Sequence, residues 1–273
     1  MTFSLSAWLS LPALAVALWL VVVAVLFVGQ RHILFRPDRT QPELATVALP
    51  GLAARRLATT DGLDLLAWTL PGAPDAPVVL YLHGNAGHLG YRAERIRAMA
   101  AMGWGALLPE YRGFGGNPGT PSEAGLRLDA AAALADLRAQ GIAPARIVLW
   151  GESLGSGLAA WLAAHHEVGA VVLETPYTSI AAIARQRYPF IPVDLLLKDR
   201  FDSLAELPAI RAPILVAVAG RDRIVPPAMG HALHAAGAGR SELWVAPEAG
   251  HSDLRQFGLV EVIADFLARR LPR

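Results

Sequence analysis

Gly151-Glu152-Ser153-Leu154-Gly155 sets a serine between two glycines, after the apolar run 147–150 and before a helical stretch that begins near Leu154. A Gly-x-Ser-x-Gly pentapeptide between a strand and a helix is a nucleophile elbow. The turn is sharp, so the flanking residues must lack bulk, and the hydroxyl projects free above a sheet. The serine also sits at a helix N-terminus, where backbone N–H groups and the dipole favour developing negative charge. A serine nucleophile needs a base, and the base needs an acid to orient it. Asp222, in Gly220-Arg221-Asp222-Arg223-Ile224-Val225-Pro226, follows the apolar run 214–219. His251, in Glu248-Ala249-Gly250-His251-Ser252, follows the run 242–246. Taken singly, Asp222 would pass for a turn or cap residue and His251 for a surface histidine. Three such residues at three strand ends, in the order that accompanies a nucleophile elbow, point to one site.

Glu174, which ends the run 170–173, is a rival acid. Asp222 is favoured because its Asp-x-x-Val-Pro loop closely precedes His251. Acyl chemistry also needs two N–H donors aimed at the carbonyl oxygen as it turns negative. Leu154, directly after the nucleophile, is the expected first donor. The second should come from the loop after the strand Val78–Leu82, which reads His83-Gly84-Asn85-Ala86-Gly87-His88, with Asn85 as the expected donor. The glycines of this loop allow close approach and unusual φ. His83 is expected to brace the loop by hydrogen bonds rather than act as a base.

These residues have to be held by a scaffold, and the chain supplies one. Residues 56–60 and 63–70, parted by Asp61-Gly62, read as a hairpin. Val78–Leu82, Gly105–Pro109, 147–150, 170–173, Ile214–Ala219 and 242–246 are short apolar runs of the kind buried on both faces of a parallel sheet. Between them, 91–102, 122–140, Leu154–His165, Pro227–Ala236 and 253–270 have helical character. The alternation implies a three-layer α/β fold with helices on both faces of a mostly parallel sheet. Residues 177–207 break it, with Tyr188-Pro189-Phe190-Ile191-Pro192 and three consecutive leucines, and are expected to form a short cap or lid.

The 273 residues are 54% hydrophobic and 17% charged, with a mean hydropathy of +0.39, too apolar for a disordered chain. The 24 Lys+Arg balance 23 Asp+Glu, which gives no electrostatic footprint for nucleic acid. Lys198 is the sole lysine, so no Walker A loop exists, and Gly113-Phe114-Gly115 lacks the third glycine of a dinucleotide fingerprint. With no cysteine, disulfides, thiol nucleophiles and iron–sulfur sites are excluded. Neither His231/His234 nor His165-His166 has the carboxylate arrangement of a metal site. No metal, cofactor or obligate protein partner is expected.

Residues 1–30 carry no charged side chain, and the apolar run from Leu11 to Val28 is about the length needed to cross a hydrocarbon core of roughly 30 Å. Trp8 and Trp19 suit an interface or lipid, and Pro12 falls in the first turns. The run is too long for a signal-peptide core and lacks a basic n-region and a small-residue cleavage site. A single-pass membrane helix is expected over 1–30, followed by a linker over 31–52 and the catalytic domain over 53–273. Arg31, Arg36 and Arg39 follow the span, so the positive-inside bias favours a cytoplasmic domain.

The His83-Gly84-Asn85-Ala86-Gly87 loop, Tyr111-Arg112-Gly113-Phe114-Gly115 followed by Gly119-Thr120-Pro121-Ser122-Glu123, the Ser153 elbow, Glu174-Thr175-Pro176-Tyr177-Thr178-Ser179 and the Asp222 and His251 loops together resemble α/β-hydrolases. More narrowly they resemble the membrane-anchored Bem46/ABHD13-like group, over roughly residue 57 to the C-terminus. Glu110 departs from that group, which usually has Asp before Tyr-Arg-Gly. The resemblance implies a serine hydrolase acting on esters or acyl lipids, with catalytic Ser153, Asp222 and His251 and an oxyanion hole at Asn85 and Leu154. The expected partners are a small or lipid-like acyl substrate and the membrane. A serine peptidase with the same triad and a non-catalytic anchored binding protein are the alternatives.

Overall fold

A computed structural model describes residues 5–271, with side chains from Leu11 onward. Residues 1–4 of the expected anchor and the Trp8 side chain lie outside the described residues. Eight strands form one sheet: β1 (Ala53–Ala58), β2 (Asp64–Leu70), β3 (Val78–Leu82), β4 (Gly105–Pro109), β5 (Ile147–Glu152), β6 (Ala170–Glu174), β7 (Ile214–Ala219) and β8 (Ser241–Ala246). Their order across the sheet is β8-β7-β6-β5-β3-β4-β2-β1. Strands β3 to β8 run parallel, and β2 is antiparallel to both β1 and β4. The interior strands β3, β4, β6 and β7 are buried at every position, which is why they read as unbroken apolar runs.

Helices cover both faces. Leu80, Leu149, Val171 and Val216 point to the side of α3 (Glu123–Ala139), α4 (Leu154–His165) and α8 (Pro227–Ala236). The alternate residues Val79, Val148, Val172 and Leu215 point to the side of α2 (Ala93–Ala101) and α9 (Leu259–Arg270). Period two along each strand therefore divides one core into two layers. The α/β-hydrolase fold expected from the sequence is the fold observed.

Element ends moved where local hydrogen bonds dictated. The hairpin turn covers more than Asp61-Gly62, because Thr59 N–H bonds the Leu63 carbonyl at 2.8 Å and its hydroxyl takes the Leu63 N–H at 2.9 Å. Ser122 caps α3 by accepting the Gly125 N–H at 3.1 Å, and Gly141, at φ +79°, follows its end. The stretch 253–270 is two elements: Gly258, at φ +92°, separates a turn of 3₁₀ helix from α9. Residues 177–207 carry α5 (Ile180–Arg187), α6 (Val193–Leu196) and α7 (Ser203–Glu206).

The N-terminal helix α1 (Leu5–Leu34) runs four residues past residue 30. Its part from Leu11 to Leu34 contains an 18-residue window of mean hydropathy 2.9 and is long and apolar enough to cross a membrane. The stretch after it is less free than a linker. Phe35 and Val47 are buried, and Arg36–Pro37 pairs in parallel with Ala86–Gly87 of the loop after β3.

Arg112 ties the hairpin to α3. It bonds Asp129 through its main-chain N–H and Nε, both at 2.9 Å, and Asp61 through the guanidinium at 2.7 Å. Asp129 is fully buried, so it depends on this cation. Gly125 makes the room, since a Cβ there would lie 2.6 Å from Arg112 Cδ. Arg112→Ala leaves Asp129 buried and unpaired and is expected to cost about 3–5 kcal/mol, read from the urea midpoint.

Candidate active site

The elbow is built by close approach. Ser153 adopts φ 49° and ψ −114°, a conformation rare for a residue with a side chain. Neither glycine beside it can be replaced without collision. A Cβ on Gly151 would lie 2.3 Å from the Gly155 carbonyl oxygen, and one on Gly155 would lie 1.9 Å from the Leu82 carbonyl oxygen of β3. Ser153 N–H bonds the Glu174 carbonyl at 2.9 Å, and the Ser153 carbonyl accepts from the Ser156 N–H and hydroxyl at 2.9 and 2.6 Å.

Two loops at the same sheet edge bring their side chains to the serine. His251 Nε2 lies 2.9 Å from Ser153 Oγ, and His251 Nδ1 lies 2.7 Å from Asp222 Oδ2. The other Asp222 oxygen accepts the N–H groups of Ile224 and Val225 at 2.8 and 2.9 Å, which fixes the carboxylate's plane. The Asp222 side chain is 3% exposed. Asp253, not singled out in the sequence, steadies the histidine loop by accepting the Gly250 N–H at 2.7 Å.

The rival acid is engaged elsewhere. Glu174 is fully buried, accepts both arms of Arg95 at 2.7 and 2.9 Å, and takes the Trp150 indole N–H at 2.9 Å. Beside it lies Glu152, approached by Arg92 at 3.3 Å and Arg95 at 3.5 Å and hydrogen-bonded by the Tyr81 hydroxyl. Two guanidinium groups thus face two carboxylates directly beneath the elbow. Burial alone would raise Glu152, but Arg95 and Arg92 outweigh it and hold the carboxyl at about 2. This cluster escaped the sequence reading. Its signal was Arg92 and Arg95, three apart at the start of a helix that had to pack on the sheet.

Asn85 and Leu154 line the same cavity as Ser153. Among the described residues their main-chain N–H groups bond no other group. The Asn85 side chain is occupied, donating to the Leu34 carbonyl at the end of α1 at 2.7 Å. His83 sits behind the loop, with Nδ1 2.8 Å from the Gly84 carbonyl and Nε2 3.0 Å from Glu110. The second Glu110 oxygen accepts the Leu89 N–H at 2.7 Å. The extra methylene of Glu110 fits because Gly115 is opposite, where a Cβ would lie 2.5 Å from the carboxylate.

The cavity holds about 240 Å³ and is mainly apolar. Its walls are residues of 177–207, Ile224 and Val225 of the Asp222 loop, and the C-terminal half of α1. Arg187 is the one charged side chain among its lining residues. The described residues contain no cluster of metal-ligating side chains.

An eight-stranded sheet of this order, with a serine elbow after its fifth strand, defines an α/β-hydrolase fold, and residues 77–204 match the family model for that fold. The chain belongs to the Bem46/ABHD family of α/β-hydrolases. It is 31% identical to protein bem46 of Schizosaccharomyces pombe over 80% of this chain and 75% of that one. It is 29% identical to an uncharacterised membrane protein of Saccharomyces cerevisiae over 93% and 94% of the two chains. A lysophosphatidylserine lipase of Danio rerio is 33% identical over 58% of this chain, which spans 46% of the lipase. Among solved structures, an esterase of Pyrococcus furiosus superposes with a TM-score of 0.71 at 20% identity, covering 87% of this chain and all of that one.

Glu152→Gln leaves the two arginines facing one buried carboxylate. It is expected to cost about 3–5 kcal/mol at neutral pH. The folded Glu152 carboxyl lies below its ordinary value of 4.5, so its contribution is present above that pH and is lost as pH falls toward about 2. The gap in Tm between wild type and Glu152→Gln should therefore be full at neutral pH and close in acid. A gap that is constant with pH would contradict an ionised Glu152.

Proposed function

We propose that the protein is a membrane-anchored serine hydrolase that cleaves a carboxylic ester through an acyl-enzyme. The observation that carries the reading is the hydrogen-bonded series Ser153–His251–Asp222, whose serine lines an apolar cavity. Asp222 takes the Nδ1 proton of His251 in a hydrogen bond, which leaves the Nε2 lone pair facing the serine. His251 accepts the Ser153 proton as Oγ attacks the carbonyl carbon. The N–H groups of Leu154 and Asn85 meet the oxyanion. His251 then gives that proton to the departing alkoxide. Water enters, loses a proton to His251 and attacks the acyl carbon; His251 then returns that proton to Ser153 Oγ as the acyl–oxygen bond breaks and the acid leaves.

The cavity's apolar lining favours an acyl chain over a peptide, whose backbone would need several polar partners. The fish relative named for lysophosphatidylserine hydrolysis agrees with a monoacyl lipid ester. Residues 177–207 act as the cap of this site. Helix α1 is the anchor, and Arg31, Arg36 and Arg39 after it favour a cytoplasmic domain.

Reaction with a fluorophosphonate probe tests the reading. Wild type should be labelled and Ser153→Ala should not, while His251→Ala should lower ester turnover by about 10⁶-fold. A folded wild type that neither labels nor turns over esters would favour a binding protein. Arg187→Ala should raise KM for an anionic-headed monoacyl ester relative to a neutral one of equal chain length. Equal effects on the two esters would remove Arg187 from headgroup recognition.

A further inference from the structure

The C-terminal half of α1 is held against the domain by specific bonds. Arg31 forms a paired contact with the buried Asp199, at 2.8 and 3.2 Å, and Gln30 accepts the Lys198 N–H at 2.7 Å and donates to the Leu196 carbonyl at 3.2 Å. The Lys198 ammonium lies 4.3 Å from the Phe27 ring centroid. Further toward the N-terminus, the Trp19 indole N–H bonds the Phe190 carbonyl at 2.9 Å. Trp19 and Gln30 are eleven residues apart, about 16 Å along a helix axis. The 188–197 segment therefore follows α1 well into its uncharged apolar run.

Two further observations bear on what this arrangement is for. Val23, Leu26, Phe27, Ile33 and Leu34 recur at helical spacing on one face of α1 and line the cavity that contains Ser153. On the cap beside that face, Phe190 and Leu195 are 84% and 85% exposed, and Ile224 at the cavity edge is 59% exposed. Apolar side chains left this open and grouped beside a membrane-spanning helix belong in lipid.

We propose that α1 is a wall of the acyl-binding site as well as an anchor. A single acyl chain enters sideways from the leaflet between α1 and the 188–197 segment, packs on Val23, Leu26 and Phe27, and brings its ester carbonyl to Ser153. The inference rests on the serine-hydrolase reading above and adds where the chain binds and from which side it arrives. The bilayer is then the reservoir of substrate. The apolar tail never crosses water, and the polar headgroup stays toward Arg187.

The test uses the full-length protein in phospholipid vesicles and p-nitrophenyl esters from butyrate to palmitate. Leu26→Trp fills the wall and should lower the palmitate-to-butyrate ratio of kcat/KM by about tenfold, the loss of roughly two buried methylenes. Val25→Trp, on the outward face where Val25 is 65% exposed, should leave the ratio unchanged. A second measurement survives a poorly folding tryptophan variant. The chain has no cysteine, so the thiol of Leu26→Cys is unique. It should react more slowly with maleimide after Ser153 takes a hexadecyl phosphonofluoridate than after a methyl one, and Val25→Cys should not distinguish them. An unchanged chain-length profile together with an unshielded thiol overturns this inference alone. Absence of any phosphonate reaction at Ser153 in wild type overturns the hydrolase reading and this inference with it.

Discussion

The approach of α4 to the sheet is the constraint on which the site depends. Gly155 sits so close to the β3 carbonyl of Leu82 that no side chain fits between them, and Gly151 sits too close to Gly155 for a side chain as well. The contact forces the chain to turn within one residue, and Ser153 takes a positive φ of 49° as a result. That turn lifts Oγ above the sheet edge. It also leaves the N–H of Leu154, the first of α4, without an intrahelical partner at a residue that lines the cavity. Hydroxyl and N–H thereby come from adjacent residues, and their relative position is set by backbone alone.

A turn under this strain needs a rigid floor. Tyr81, Trp150, Glu152 and Glu174 all come from the strands below it, and Arg95 of α2 and Arg92 just before that helix reach in. The charges cancel, the carboxylates of Glu152 and Glu174 are both bonded, and Arg95 lies 5.7 Å from the ring centroids of Tyr81 and Trp150. A buried ion cluster contributes little net stability, but removing one member exposes the cost of burying the rest. Its effect here is geometric. Glu152 is the residue immediately before Ser153, so fixing its side chain fixes the entry to the elbow. Glu174 also holds the elbow through its main chain, accepting the Ser153 N–H.

Much of this was legible beforehand, and the reasons are physical. Buried parallel strands must be apolar on both faces, so Val78–Leu82, Gly105–Pro109 and Ile214–Ala219 announced themselves with correct ends. The convergence of Ser153, Asp222 and His251 was legible because each follows such a strand, and the strands of a parallel sheet end on one edge. The choice between Asp222 and Glu174 was less so. Both end strands, and only the guanidinium of Arg95, 79 residues away in the chain, decides which one is occupied. Turn chemistry hid other details. Thr59 lengthens the hairpin turn through its hydroxyl, and Gly258 interrupts a helical pattern that is otherwise continuous.

The face of α1 was the least legible feature. A helix apolar all round carries no pattern to show which of its sides packs on the domain. Its docking is written in the few polar atoms near its end: Gln30, Arg31 and the Leu34 carbonyl, which bond the 196–199 segment and Asn85. Asn85 also lines the cavity, so the end of α1 and the loop after β3 are held by one side chain. The pairing of Arg36–Pro37 with Ala86–Gly87 continues that connection in main-chain bonds. A rotation of α1 by one residue would turn Gln30 and Arg31 away from their partners and release the loop at the same time. The orientation of α1 and the geometry of the site are therefore coupled through a short stretch of backbone, and neither can be set without the other.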